Sequence, residues 1–266
     1  MAVGGLATIA VVFLIAAFAS FVAPYDPGRT DVSLKLKPPS SQNYLGTDQL
    51  GRDVFSRMLY GSRISLSVGF VAVGISIVIG ILVGAVAGYY RGWVDSFLMR
   101  FVDTMLCFPS FFLILTVVAL LGPSILNIML VIGITSWMGT SRLVRAEFLS
   151  LRERDFVQAA RNLGVKDRRI IFSHILPNAL APVFVSATLK VASAILVEAG
   201  LSFLGFGVQP PRPSWGNILT EGRTYIFDAW WLTLFPGLAI LITVLSFNLV
   251  GEGLRDALDP RLRGRR

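Results

Sequence analysis

Three ionisable side chains stand alone inside long uncharged stretches: Asp103, Lys190 and Glu198. A charge at the centre of a bilayer costs ~2.5–3.5 kcal/mol on insertion scales, so such residues are expected to face protein or water. They are the first place to look for an ion or solute route. Asp103 lies one turn after Arg100, the spacing of an i,i+3 pair. Glu198 falls near the outer end of its helix, within reach of headgroups, and Lys190 about halfway along the same helix. Eight residues separate them, about 12 Å of rise, too far for direct pairing. Lys190 and Glu198 are therefore the candidates for a polar translocation path, weighed against snorkelling and structural pairing. Little other chemistry is available. His174, the one histidine, sits in a polar loop on a helical face and reads as a packed or hydrogen-bonded imidazole. A single cysteine, Cys107, allows no intrachain disulfide, and no Cys/His cluster points to a metal. No G-x-x-x-x-G-K-[ST] occurs, nor any GK pair, so the phosphate-cradling loop and its lysine are missing. The chain is expected to be no enzyme and to bind no cofactor.

The densest polar segment is "DFVQAARNLGVKDRRIIFSHILPN", residues 155–178. Upstream and through it, Val144, Phe148, Leu151, Phe156, Ala159 or Ala160, and Leu163 recur at helical spacing, with arginines on the flanks. This predicts one amphipathic helix over 143–163. Gly164 supplies the left-handed position that ends a helix. Asp167 is expected to cap a second helix, beginning at Arg168 and closed by Pro177. Two helices angled across one glycine make a rigid knob, far larger than a connector between neighbouring spans needs to be.

The elements that hold this knob are greasy. The chain has 266 residues, 54% hydrophobic and 15% charged, with mean hydropathy +0.69. That excludes an ordinary soluble domain and predicts an all-α polytopic membrane protein. Six apolar stretches qualify as spans: 4–23, 64–90, 97–121, 124–141, 179–201 and 229–250. Ala17-Phe18-Ala19 resembles a cleavage site, but no basic residue precedes the run, so the first stretch reads as an uncleaved helix. The net charge of +8 marks orientation rather than nucleic acid. With both termini inside, the cytoplasmic connections hold 15 of the 24 Lys and Arg residues. Outside lies 24–63, extended at first and then carrying a short interfacial helix behind Asp48, with Leu50, Val54 and Met58 on one face. A second external segment, 202–228, ends near Trp230-Trp231, expected as interfacial anchors. Gly80, Gly84 and Gly88 form a smooth stripe on the second span, suited to close packing against a helix of the same chain. The domain plan is 1–62, an N-terminal span with its external segment; 63–252, the core with the loop 142–178; and 253–266, a basic tail.

Ala159-Ala160, Gly164 and Leu176-Pro177 have the spacing A-A-x-x-x-G, nine residues, x-x-L-P, which resembles the cytoplasmic signature loop of ABC-importer permeases. The family pattern has Glu and Ile where this chain has Gln158 and His174. "LGTDQLGRDVFSRMLYGSRISL" (45–66), "EAGLSFLGFGVQPPRPSWG" (198–216) and "FNLVGEGLRDALDPR" (247–261) are similar to the C-type permease of dipeptide and oligopeptide importers, across nearly the whole chain. The resemblance implies the type I importer permease fold. It also implies a heterodimer with a second permease, two cytoplasmic ATPase subunits carrying ATP and Mg, and an extracytoplasmic solute-binding protein. Gln158, Ala159, Ala160, Arg161, Gly164, Asp167, Arg168 and Pro177 would then couple to an ATPase. The cargo is less determined, since related permeases import nickel, glutathione or oligosaccharides. An ion-coupled secondary transporter is the alternative, and it would leave the loop unexplained.

Overall fold

The computed structural model describes residues 1–258. Helix α1 (Ala2–Val22) is apolar throughout. A mostly irregular segment follows, and α2 (Val54–Tyr90) then runs for 37 residues. α2 begins ten residues before the expected span, because Asp53 caps it by accepting from the Ser56 N–H at 2.7 Å. Asp48 instead closes its own turn, accepting from the Leu50 and Arg52 N–H groups. Leu50 is exposed in that turn. The expected interfacial helix is thus the outer extension of α2, not a separate element.

The expected third span is broken. α3 (Gly92–Leu106) and α4 (Ser110–Leu121) meet at an 82° bend. Pro109 lacks the N–H that would continue the helix and disfavours helical geometry at Phe108. Gly122-Pro123 turns the chain into α5 (Ile125–Thr135), capped by Ser124. This helix also stops early, and after Ser136-Trp137 the chain resumes as α6 (Met138–Arg152). α7 (Asp155–Asn162) follows a second break. The amphipathic helix expected over 143–163 is therefore two helices.

α8 runs unbroken from Asp167 to Phe203, so Pro177 does not close a helix. A π-helical stretch, Ile170–Ile175, precedes this proline. Pro177 has no N–H for the carbonyl four residues back, and its ring crowds that carbonyl; the wider turn relieves both. The segment after α8 holds α9 (Trp215–Gly222), opened by a Ser214/Asn217 capping box, and α10 (Trp231–Leu258) closes the described chain. Residues 62–63 lie inside α2 and 252–253 inside α10, so neither expected domain boundary is a break in the chain's path. The basic ending "RLRGRR" lies outside the described residues.

Among the described residues, four helices, α1, α2, α8 and α10, are long and apolar enough to cross a bilayer, and the bent α3–α4 pair forms a fifth such unit. α6 lies against the glycine stripe of α2. A Cβ at Gly80 would stand 2.6 Å from the Thr140 Cβ, and one at Gly88 2.6 Å from the Phe148 Cβ. One at Gly84 would collide with the Ser141 carbonyl. The stripe therefore seats a helix of the same chain, as its spacing predicts. α1 packs along α10 and α2, where Arg63 donates to the Ala16 and Ala17 carbonyls at the end of α1.

Candidate functional site: the polar knob and its anchor

The knob is α7, the turn at Gly164, and the start of α8. Gly164 has φ +74°, the region where a side chain is strained. Its N–H donates to the Arg161 carbonyl, and Val165 N–H to that of Ala160, closing α7 with short backbone bonds. Val157 and Ala160 turn inward, packing with Val144, Phe148, Ile170 and Ile175 around the end of α2.

The residue at the centre of this packing is Tyr89, which the sequence reading did not single out. It is 4% exposed. Its hydroxyl donates to the Asp167 carboxylate at 2.5 Å. The guanidinium groups of Arg152 and Arg161 each lie 5.8 Å from its ring centre, within cation–π range. Arg152 also donates to the Tyr89 carbonyl at 2.6 Å. Asp167 thus ties the knob to α2 and caps nothing; Lys166 occupies the cap position without a side-chain bond. Gln158 donates to the Arg152 carbonyl at 3.1 Å, bridging the break between α6 and α7. A knob expected to grip the two spans that flank it is fastened to the second span as well. Two consecutive tyrosines at a helix end before Arg91 were the available signal.

The opposite face of α7 is bare. Phe156, Ala159 and Leu163, at i, i+3 and i+7, all point outward, and Leu163 is 83% exposed. His174 is half-buried, and its carbonyl accepts from Asn178.

The isolated charges inside the bilayer have protein partners. Asp103 pairs with Arg142 of α6, not with Arg100. Lys190 donates to Ser76 of α2 at 3.3 Å and to the Ser136 carbonyl. It therefore caps the free end of α5, beside a cavity of about 70 Å³. Glu198 is fully buried and does not reach headgroups. One of its oxygens accepts from Ser202 and Ser214, each at 2.8 Å, fastening α8 to the start of α9.

At the end of the molecule away from the knob, Asp48 accepts from Arg52 at 2.6 Å and Arg57 at 2.5 Å, and both arginines also reach Glu221 of α9. Burial by itself would raise the Glu221 carboxyl, but Arg57, aided by Arg52 and Gln49, holds it below its usual value. Trp231 is buried, not interfacial, and donates to the Thr47 carbonyl at 3.1 Å. Trp230 remains half exposed. Among the described residues, no group of three or more His, Cys, Asp or Glu could hold a metal ion.

Broken apolar helices around a glycine-seated core, with a polar knob at one end, define a membrane permease. The chain belongs to the family of binding-protein-dependent transport system inner membrane components, which matches residues 76–264, and residues 1–39 match the N-terminal transmembrane domain of oligopeptide transport permease C. It is 47% identical to a dipeptide transport system permease of Alkalihalophilus pseudofirmus, over 99% of this chain and 86% of that one. It is 46% identical to a di/tripeptide permease of Pseudomonas aeruginosa, over 98% and 88% respectively. A glutathione transport permease of Escherichia coli is 43% identical over 99% and 88%. The fold matches the MetNI methionine ABC transporter with TM-score 0.59 and 19% identity, covering 75% of this chain and 94% of that one. The protein is thus a multi-pass inner membrane permease with the type I importer fold.

Proposed function

We propose that this chain forms half of the translocation path of an ATP-driven importer of di- or oligopeptides. It pairs with a different permease, receives solute from an extracytoplasmic binding protein, and lies with both termini in the cytoplasm. Two ATPase subunits carry the ATP and Mg. The observation that carries the coupling role is the bare apolar face of α7, Phe156, Ala159 and Leu163, on an otherwise charged knob. A partner's groove would cover it. Ala160, Arg161 and Asp167 hold the knob to α2, Gln158 to α6, and Pro177 shapes the root of α8; Gly164 sets the angle. Arg168 stands at the base.

ATP closes the ATPase pair, and the anchored knob moves with it, carrying α2 and α8 between inward- and outward-facing arrangements. ATP achieves this by favouring one state over the other. Lys190 and Glu198 serve as internal ties that keep the moving helices in register, rather than as solute contacts. Peptide cargo is supported by the names of the dipeptide relatives, and glutathione is the second reading for the same reason.

Leu163→Asp tests the docking face without disturbing the core. In liposomes holding the complete importer, uptake of labelled dipeptide and binding-protein-stimulated ATP hydrolysis are expected to fall at least about tenfold, the effect of ~1.4 kcal/mol. Undiminished uptake would remove the docking role from α7.

A further inference from the structure

A cleft of about 230 Å³ opens between the end of α2 and the π-helical root of α8. Its walls are apolar: Ile81, Leu82 and Val86 from α2, and Ile171 and Phe172 from α8. Arg168 stands on its rim. Ile81, Leu82 and Val86 lie on α2, a helix long and apolar enough to cross a bilayer, and Leu82 and Val86 are exposed.

We propose that this cleft is a binding site for an anionic phospholipid of the leaflet on the knob's side. One acyl chain lies along Leu82 and Val86, and the phosphate meets Arg168. The charge balance selects the headgroup. Lys166, Arg168 and Arg169 have no ion pair among the described residues, and the one acid between them, Asp167, is held by Tyr89. Three uncompensated cations at a leaflet boundary favour a net negative headgroup over a zwitterionic one. The π-helical stretch supplies one wall of the cleft through Ile171 and Phe172. Bound there, a lipid would brace the root of the knob against α2.

The test uses the intact importer in nanodiscs of equal phosphatidylglycerol and phosphatidylcholine, released into native mass spectrometry. The wild type is expected to retain phosphatidylglycerol in preference. Leu82→Trp fills the cleft and should abolish retention. Arg168→Gln, on an exposed residue, should keep the lipid but reduce the preference about fivefold. Equal retention of both lipids by the wild type, or an unchanged preference in Arg168→Gln, would overturn the proposal. So would a cross-link from Val86→Cys to the second permease, which would make the occupant a partner helix.

Discussion

At the residue scale, the isolated intramembrane charges turn out to be fasteners. Glu198 holds Ser202 and Ser214 with a single oxygen, and a carboxamide can present that same oxygen. Glu198→Gln is therefore expected to leave folding and uptake near wild type. Glu198→Ala strands two buried hydroxyls and should lower stability by about 1–3 kcal/mol, read as a lower melting temperature of the purified complex. A solute-contacting carboxylate would erase that difference in transport, with Gln failing as badly as Ala. Sequence alone marked Glu198 and Lys190 as costly but could not name their partners. Ser214 is sixteen residues from Glu198 and Ser76 is 114 from Lys190. The serines carry no signal of their own in a chain rich in small residues.

At the scale of elements, two kinds of glycine do different work. Gly84 gives space: a Cβ there would strike the α6 backbone and Val144. Gly164 gives conformation: a Cβ there meets nothing within 4 Å, but φ is +74°. Asn tolerates that region and Val does not. Gly164→Asn should thus preserve uptake while Gly164→Val loses most of it; at Gly84 both substitutions should prevent accumulation of the folded permease. Immunoblots of membranes and uptake assays separate the cases. Most apolar stretches were legible as helices, as was the Gly164 turn, because periodicity and turn chemistry are local. The breaks at Pro109 and Ser136-Trp137 were not. A window of hydropathy reads through a short interruption, and backbone groups freed there are satisfied by distant residues such as Lys190. The extended reach of α2 was missed for a related reason: the arginines at 57 and 63 made residues 54–63 read as part of the segment before the span, yet they are helical under the Asp53 cap.

Across the whole molecule, a buried ionic clamp at one end faces the knob at the other. Arg52 and Arg57 are two of the basic residues that weaken the charge asymmetry in sequence, and both are consumed by Asp48 and Glu221. Their pairing joins the segment before α2 to α9. Glu221 titrates below its ordinary value of 4.5 when folded. Its contribution is therefore complete above that pH and disappears as pH falls through the lower folded value. Melting temperatures measured from pH 6 to pH 3 should fall more for wild type than for Glu221→Gln, which starts lower because it has already lost the charge. Removing Asp48 leaves two buried cations sharing one acid, a loss of about 3–5 kcal/mol.

Coupling in the proposed importer depends above all on the bare face of α7 meeting an ATPase. With Cys107 replaced by serine, Leu163→Cys should form a disulfide or short-linker cross-link to the co-expressed ATPase subunit in native membranes, in a yield that changes when ATP is added. If Leu163→Cys reacts freely with impermeant maleimide from the extracytoplasmic side and never cross-links to the ATPase, the knob cannot be the point at which transport is driven.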